Sequence, residues 1–278
     1  MRPRSVPVVL GAVLALAACG QPAGSSGAPA PSGVGLPAAD DALVLRVEQV
    51  GGFTVAGAEL SRLPSVSVYA DGRVLSPAPV AAIYPAPAWP AVQLTRVDDA
   101  ELADLLQAAL DAGVTDTADL GTGGLADATT TVVTVTTAEG TSRREVYALR
   151  EAQGAPSLTA EQVAARQELA GLVDRLDEVV ATSGELWSPT AVAALASTYT
   201  ADPVVTAEPV AWPGPELPGE PVGAGFGCTV ATGDLAAAVV AAAQRATSAT
   251  PWVDGDATWS VAFRPLLPDE GGCADLTG

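Results

Sequence analysis

Short alternating apolar runs and two longer helical stripes follow one another between residues 43 and 180. Apolar and polar positions alternate along Ser65–Tyr69, and β-branched residues fill the run 129–136, both patterns typical of β-strands. Asp71-Gly72 is a hairpin-turn dipeptide that leads into a return strand. The pattern predicts strands at 43–50, 65–69, from 73, at 129–136 and at 143–149.

Two amphipathic helices are predicted in the same region. Asp98 stands at the start of the first as an acidic N-cap, and Thr159 opens a capping box for the second. Apolar residues recur at helical spacing after both starts: Leu102, Leu105, Leu106, Ala109 and Leu110, then Leu169, Leu172, Val173, Leu176, Val179 and Val180. Because each apolar stripe needs a sheet to cover, we expect antiparallel hairpins with the helices packed on one sheet face.

The pattern changes near Gly184. Ser188-Pro189 predicts a helix start, followed by a stripe of Val192, Leu195 and Tyr199. Further elements are predicted along the rest of the chain: a strand at 204–211, a Pro/Gly-rich loop at 212–227, a strand at 226–230, a helix at 232–246 with Leu235, Val239 and Ala242 inward, and a strand at 257–264. The fold class is therefore α+β, with a smaller α+β region at 185–278 after a domain at 42–184.

The first 18 residues have the three-part pattern of a secretory signal peptide. A basic start is followed by an uncharged apolar run and then by small residues. Leu16-Ala17-Ala18-Cys19 resembles the lipobox of bacterial lipoproteins, in which cleavage precedes a cysteine that carries a diacylglycerol thioether. The alternative is a plain signal peptide beside an incidental cysteine.

The lipobox resemblance implies an anchor at Cys19 on the outer face of the cell membrane. Two or three acyl chains of the palmitate type hold a protein stably, whereas one holds it marginally. Residues 19–41 are rich in Gly, Pro, Ser and Ala and have little to bury. We expect them to form a flexible tether with an r.m.s. span of roughly 25 Å.

Cys228 and Cys273 are the two remaining cysteines. An even pair in an oxidising exported compartment normally forms a disulfide. In the chain-entropy model, closing such a loop contributes roughly 4 kcal/mol. We therefore predict a structural disulfide that staples the smaller region.

Charge and missing residue types exclude several functions. After residue 18 the chain has 11 arginines against 32 acidic side chains, a net charge of −21, which argues against nucleic acid as a partner. The chain has no lysine and no histidine, which excludes histidine bases, Ser-Lys dyads, Schiff bases and the P-loop lysine. We expect no catalytic residue, metal or cofactor. The composition indicates a G+C-rich genome and, with the lipobox, resembles actinobacterial lipoproteins.

Aromatic residues in Pro-rich loops are the candidates for recognition. Tyr84 and Trp89 lie between closely spaced prolines, and Trp212 begins a second Pro/Gly-rich loop. Exposed aromatic residues in such loops bind partners. The alternative is that they cap the cores beneath them.

Other motifs have structural explanations that we favour. The glycines at 121–124 read as an ordinary loop, Asp98-Asp99 as a helix cap, and Asp254-Gly255-Asp256 as a turn rather than a calcium site.

The order of elements over residues 43–180 resembles the emfourin-type inhibitors of bacterial metalloproteases. The motif-like part is Gly51-Gly52-Phe53, which continues here as Thr54-Val55. This resemblance implies a protease inhibitor, although no inhibitory residue can be transferred from it.

The sequence therefore predicts a lipid-anchored, non-catalytic binding module that contacts an envelope protein, glycan or lipid. The alternatives are an emfourin-like inhibitor and a carboxylate-based hydrolase, the latter requiring two acidic residues that face each other across a cleft.

Overall fold

A computed structural model describes residues 35–55, 57–181 and 184–277. The predicted signal peptide, Cys19 and most of the predicted tether lie outside the described residues. The described residues belong to one compact unit that contains two antiparallel-rich sheets. No helix in the described ranges combines the length and hydrophobicity needed to cross a membrane.

The first sheet has seven strands in the order β6-β5-β1-β2-β3-β4-β7, all paired antiparallel. Its strands are β1 (Leu43–Gly51), β2 (Val66–Tyr69), β3 (Arg73–Pro77), β4 (Val92–Arg96), β5 (Thr129–Thr137), β6 (Gly140–Tyr147) and β7 (Glu185–Leu186). The hairpin predicted around Asp71-Gly72 is confirmed, and the strands predicted at 129–136 and 143–149 form a second hairpin that turns at Glu139-Gly140.

A short helix, α1 (Ala58–Ser61), lies between β1 and β2. Two longer helices cover one face of this sheet, as predicted. Helix α2 (Asp99–Asp111) begins after Asp98, whose carboxylate accepts a hydrogen bond from the amide of Glu101 at 2.9 Å. Helix α3 (Ala160–Ala181) begins after Thr159, which exchanges two hydrogen bonds with Gln162 in the predicted capping box. The leucines of both stripes bury against valines of β1, β2, β3, β5 and β6, except Leu110, which is only partly buried.

The second sheet has six strands in the order β10-β11-β8-β13-β12-β9. Its strands are β8 (Ala191–Thr198), β9 (Val210–Ala211), β10 (Glu220–Gly223), β11 (Phe226–Thr232), β12 (Trp252–Asp254) and β13 (Ala257–Pro265). Helix α4 (Gly233–Ala243) covers one face, and a short 3₁₀ helix (Cys273–Leu276) lies on the other. The α+β class with a smaller, disulfide-stapled region is confirmed.

The helix predicted after Ser188-Pro189 is wrong. Residues 191–198 form the central strand β8, between β11 and β13. Val192, Ala194 and Ala196 face α4, whereas Ala193 and Leu195 face the opposite layer. A strand covered on both faces is apolar throughout, so its spacing also matches a helix, and alanine adds a misleading helix preference.

Three further expectations need correction. In α4 the buried residues are Ala236, Val239 and Ala243, while Leu235 is half-exposed and Ala242 is partly buried. The strand predicted at 204–211 is limited to β9 because this part pairs only at its end, in parallel with β12. The predicted loop 212–227 contains β10, which forms a hairpin with β11.

Two segments cross between the sheets. The loop joining β3 to β4 carries Trp89 into the core of the second sheet. In return, the segment after β13 carries Leu267 onto the face of the first sheet that the helices leave uncovered, beside Tyr69 and Leu75. The core beside each sheet therefore includes a residue from a segment that extends out of the other sheet.

Charged side chains at the edge of the core fix the second crossing. The Asp269 carboxylate accepts hydrogen bonds from the Arg46 guanidinium and the Tyr69 hydroxyl, each at 2.8 Å. The neighbouring Glu270 accepts from Arg264 at 2.7 Å and from the amide of Leu267 at 2.8 Å. We call these five side chains, Arg46, Tyr69, Arg264, Asp269 and Glu270, the ion cluster.

The pKa values of the two arginines of the ion cluster shift in opposite directions. Burial lowers the pKa of Arg264, and Glu270 offsets this only in part, so that pKa stays below its ordinary value. For Arg46 burial is the largest effect and also lowers the pKa, but Asp269, Tyr69 and Glu270 together outweigh it, so the pKa is raised. The charges are therefore held as pairs, because breaking a buried pair leaves an uncompensated charge.

The predicted disulfide between Cys228 and Cys273 is confirmed. It joins β11 to the 3₁₀ helix. The segment with Asp269 and Glu270 is therefore held by β13 at one end and by the disulfide at the other.

Tyr69 predicts how stability depends on pH. Burial, and then the charge of Asp269, raise the pKa of Tyr69 above its ordinary value of 10.0. Above pH 10 the unfolded chain releases this proton while the folded chain retains it. The free energy of unfolding should therefore fall with rising pH, by up to about 1.4 kcal/mol per unit. Below about pH 10 Tyr69 keeps its proton in both states, so its contribution to the free energy of unfolding is fully present there.

Tyr69→Phe tests this dependence by denaturant unfolding at about pH 8 and about pH 11. The variant should be less stable by about 1 kcal/mol at the lower pH and lose less stability between the two conditions. Tyr84→Phe, at an exposed position, serves as the control and should keep the wild-type difference. An equal loss in Tyr69→Phe and wild type would contradict the assignment.

Candidate functional site

The Pro-rich segment between β3 and β4 is an ordered loop held at three points. The amide of Ala78 donates to the carbonyl of Ala91 at 2.9 Å, which closes the base of the loop. Further along, Ala88 donates to Ala246 at 3.1 Å, and Ser248 donates to Ala86 at 2.8 Å. The loop is therefore bound to the turn after α4, on the second sheet.

A groove of about 490 Å³ opens beneath this loop. One wall is the loop itself, from Pro77 to Ala91, with Val80 exposed at the rim. The floor comes from β8, β11 and β13, and Ser61 and Leu63 close the remaining side. We call this cavity the Pro-loop groove.

The three predicted aromatic residues have different positions. Trp89 lines the Pro-loop groove and is 8% exposed, with its ring 6.4 Å from that of Phe263. Trp212 is 9% exposed and packs between Trp252 and Phe263 in the core of the second sheet. Tyr84 is 69% exposed, and its hydroxyl donates to Asp202. Whether these residues bind a partner stays a prediction.

Several groove residues were missed in the sequence. Phe226 and Phe263 supply aromatic surface, and four serines supply the hydroxyls: Ser61, Ser197, Ser248 and Ser260. Ser197 and Ser260 are directly opposite on neighbouring strands. The apolar alternation of β13 was visible in the sequence, but nothing local indicated that the Pro-rich loop would lie across it.

The chemistry of the Pro-loop groove differs from that of the rest of the surface. Its described lining has no charged side chain, although the chain contains 32 acidic residues. The polar atoms of the described lining are serine hydroxyls and backbone groups. Such a cavity suits an uncharged ligand, and its size falls within the range of about 300–1,000 Å³ for small-molecule pockets.

A second cavity, of about 320 Å³, is lined by charges of both signs. Its acidic residues include Glu48, Glu59, Glu270 and Asp275. Glu270 is occupied by Arg264 and Leu267, and Asp275 accepts from the amides of Gly271 and Gly272. The carboxylates with assigned donors thus hold the segment after β13 in place. A carboxylate-based hydrolase stays a prediction.

The remaining motifs make contacts that hold the fold together. The loop at 121–124 lies against buried Arg166, whose guanidinium donates to the carbonyls of Leu120, Gly121, Tyr147 and Ala148. Asp254 accepts from the amide of Leu217 at the turn before β13. Within the described ranges, no group of three or more cysteine or acidic side chains could hold a metal ion.

The Gly-Gly-Phe motif is at the end of β1. Gly51 and Gly52 have positive φ angles, which turn the chain away from the sheet. Phe53 is then 93% exposed, and Val55 is also exposed. Gly57 in the same segment lies so close to Phe226 that any side chain there would clash with its ring.

Comparisons of the chain with protein-family models, with curated proteins and with solved structures found no match.

The positions of Trp89 and Tyr84 predict effects on stability of very different size. Trp89→Ala removes a buried ring and should lower the free energy of unfolding by about 3–5 kcal/mol. Tyr84→Ala removes an exposed ring and should change it by less than about 0.5 kcal/mol. Thermal and denaturant unfolding measure both, and similar losses for the two variants would contradict these placements.

Proposed function

We propose that this protein is a lipid-anchored, non-catalytic binding module on the extracytoplasmic face of the cell membrane, and that it binds its ligand in the Pro-loop groove. The observation that carries the proposal is the uncharged, aromatic-lined cavity beneath an ordered loop. Concave apolar sites with a few polar groups are the usual form of ligand pockets.

The non-catalytic part of the proposal rests on the residue types present. No histidine or lysine occurs in the chain, so the common bases and amine nucleophiles are absent. The groove offers serine hydroxyls without a neighbouring base in its described lining. Binding through shape and apolar contact is the chemistry these residues support.

The anchor is tested at Cys19. Cys19→Ser removes the thiol that would carry the lipid, so metabolic fatty-acid labelling should be lost. The protein should also keep its first 18 residues, as mass spectrometry would show. Cys228→Ser, which leaves the lipobox intact, is the control and should retain the label. Labelling of Cys19→Ser would contradict the placement.

The binding site is tested by a photo-crosslinking amino acid at position 80 in the full chain in intact cells. Val80 is at the groove rim and is 62% exposed, so the probe should not disturb folding. We expect discrete adducts from this position. A probe at position 125, on the exposed loop before β5, is the control and should give none. Absence of adducts at position 80 would contradict a ligand site there.

A second candidate function is inhibition of a metalloprotease. The exposure of Phe53 on a glycine turn favours it, because an apolar side chain presented on a loop can enter a partner's pocket. This candidate shares the envelope placement but uses a different surface.

Phe53→Ala tests the second candidate. If the protein inhibits a bacterial metalloprotease, this change should weaken inhibition by at least about tenfold, the effect of losing a contact worth about 1.4 kcal/mol. Val204→Ala, at another exposed apolar position, is the control and should inhibit as wild type. No inhibition by wild type across a panel of such enzymes would contradict this function.

A further inference from the structure

We infer that the ligand of the Pro-loop groove is the hydrocarbon chain of a membrane lipid with an uncharged or zwitterionic headgroup. This inference rests on the proposed function and names the chemical class that the site takes. It follows from the absence of charge in the groove's described lining, from the hydrogen bonds that its backbone groups already make, and from its size.

Charge excludes ionic ligands first. The described lining carries no charged side chain to pair with one, and the surrounding protein is strongly acidic. An anionic headgroup would meet repulsion, and a cationic group would be desolvated without a carboxylate in the groove. The part of the ligand within the groove is therefore uncharged.

Backbone hydrogen bonding disfavours an extended peptide. Peptides bind grooves of this kind by adding a strand to a sheet edge. Here β8 and β13 form the floor as interior strands, with partners on both sides. The amides of Ala78, Ala88 and Ser248 along the loop wall already donate to protein carbonyls. No strand edge is offered by these elements.

The groove's polar groups also disfavour a glycan. A sugar ring presents several hydroxyls, each of which loses free energy when it is buried without a partner. The side-chain partners available are the four serine hydroxyls, of which Ser197 and Ser260 adjoin each other. Trp89 is too deeply buried to present an open ring face for stacking.

A hydrocarbon chain needs none of these groups. Phe226, Val261 and Leu63 are partly exposed and, with the loop prolines, provide an apolar surface for its methylenes. Each methylene buried contributes about 0.8 kcal/mol. The cavity of about 490 Å³ matches one small ligand, which favours a single chain inserted from the rim at Val80.

The test uses the full lipidated chain in phosphatidylcholine vesicles that contain a lipid with a photoreactive diazirine on one acyl chain. Crosslinked peptides are mapped by mass spectrometry. We expect adducts on the peptides covering 77–91 and 257–265. Val80→Glu should reduce them at least about tenfold, because a hydrocarbon chain that enters at the rim would desolvate the new carboxylate without giving it a partner. Leu125→Glu, the same change outside the groove, should leave them unchanged.

Adducts spread over the surface, or adducts that Val80→Glu leaves unchanged, would overturn the lipid ligand. So would a lack of adducts on the two groove peptides. The position-80 probe in cells separates this failure from that of the binding function. Protein adducts there would retain the module and reject the lipid, whereas no adducts would reject both. Circular dichroism and thermal unfolding of both variants check that each is folded.

Discussion

The arrangement of the two sheets depends on the hydrogen bonds that the Asp269 carboxylate accepts. It accepts hydrogen bonds from Arg46 and Tyr69 of the first sheet, yet it belongs to the segment that leaves the second. Removing that carboxylate would leave a buried guanidinium without its counter-charge, which is strongly destabilising. The same segment carries Leu267, so apolar burial and charge pairing act at one place.

The Pro-loop groove results from the other crossing, in which the loop between β3 and β4 reaches the second sheet. Trp89 must reach the second core, so its loop spans from β3 across to the turn after α4. Bridging the sheets in this way leaves an uncharged cavity between the loop and the strands beneath it. An ordered loop also limits the conformational entropy lost when a ligand binds, which favours recognition by shape.

Elements stabilised by local interactions were predictable from the sequence, and elements defined by distant partners were not. Asp98 and Thr159 cap their helices through residues three positions away, so the sequence contains the signal. Strand β8 was misread because its two covered faces come from α4 and from the segment after β13. The disulfide followed from cysteine number, but the ion cluster and the lining of the groove required the assembled sheets.

The ion cluster also constrains the order in which the protein can be built. Tyr69 and Asp269 are separated by 200 positions, and Arg46 and Asp269 by 223. Closing contacts over such separations is slow compared with forming hairpins and helices. The first sheet can therefore pair its own strands early, but Arg46 stays without this counter-charge until the segment with residue 269 joins it. Docking of the segment after β13 is thus the step that completes the native fold.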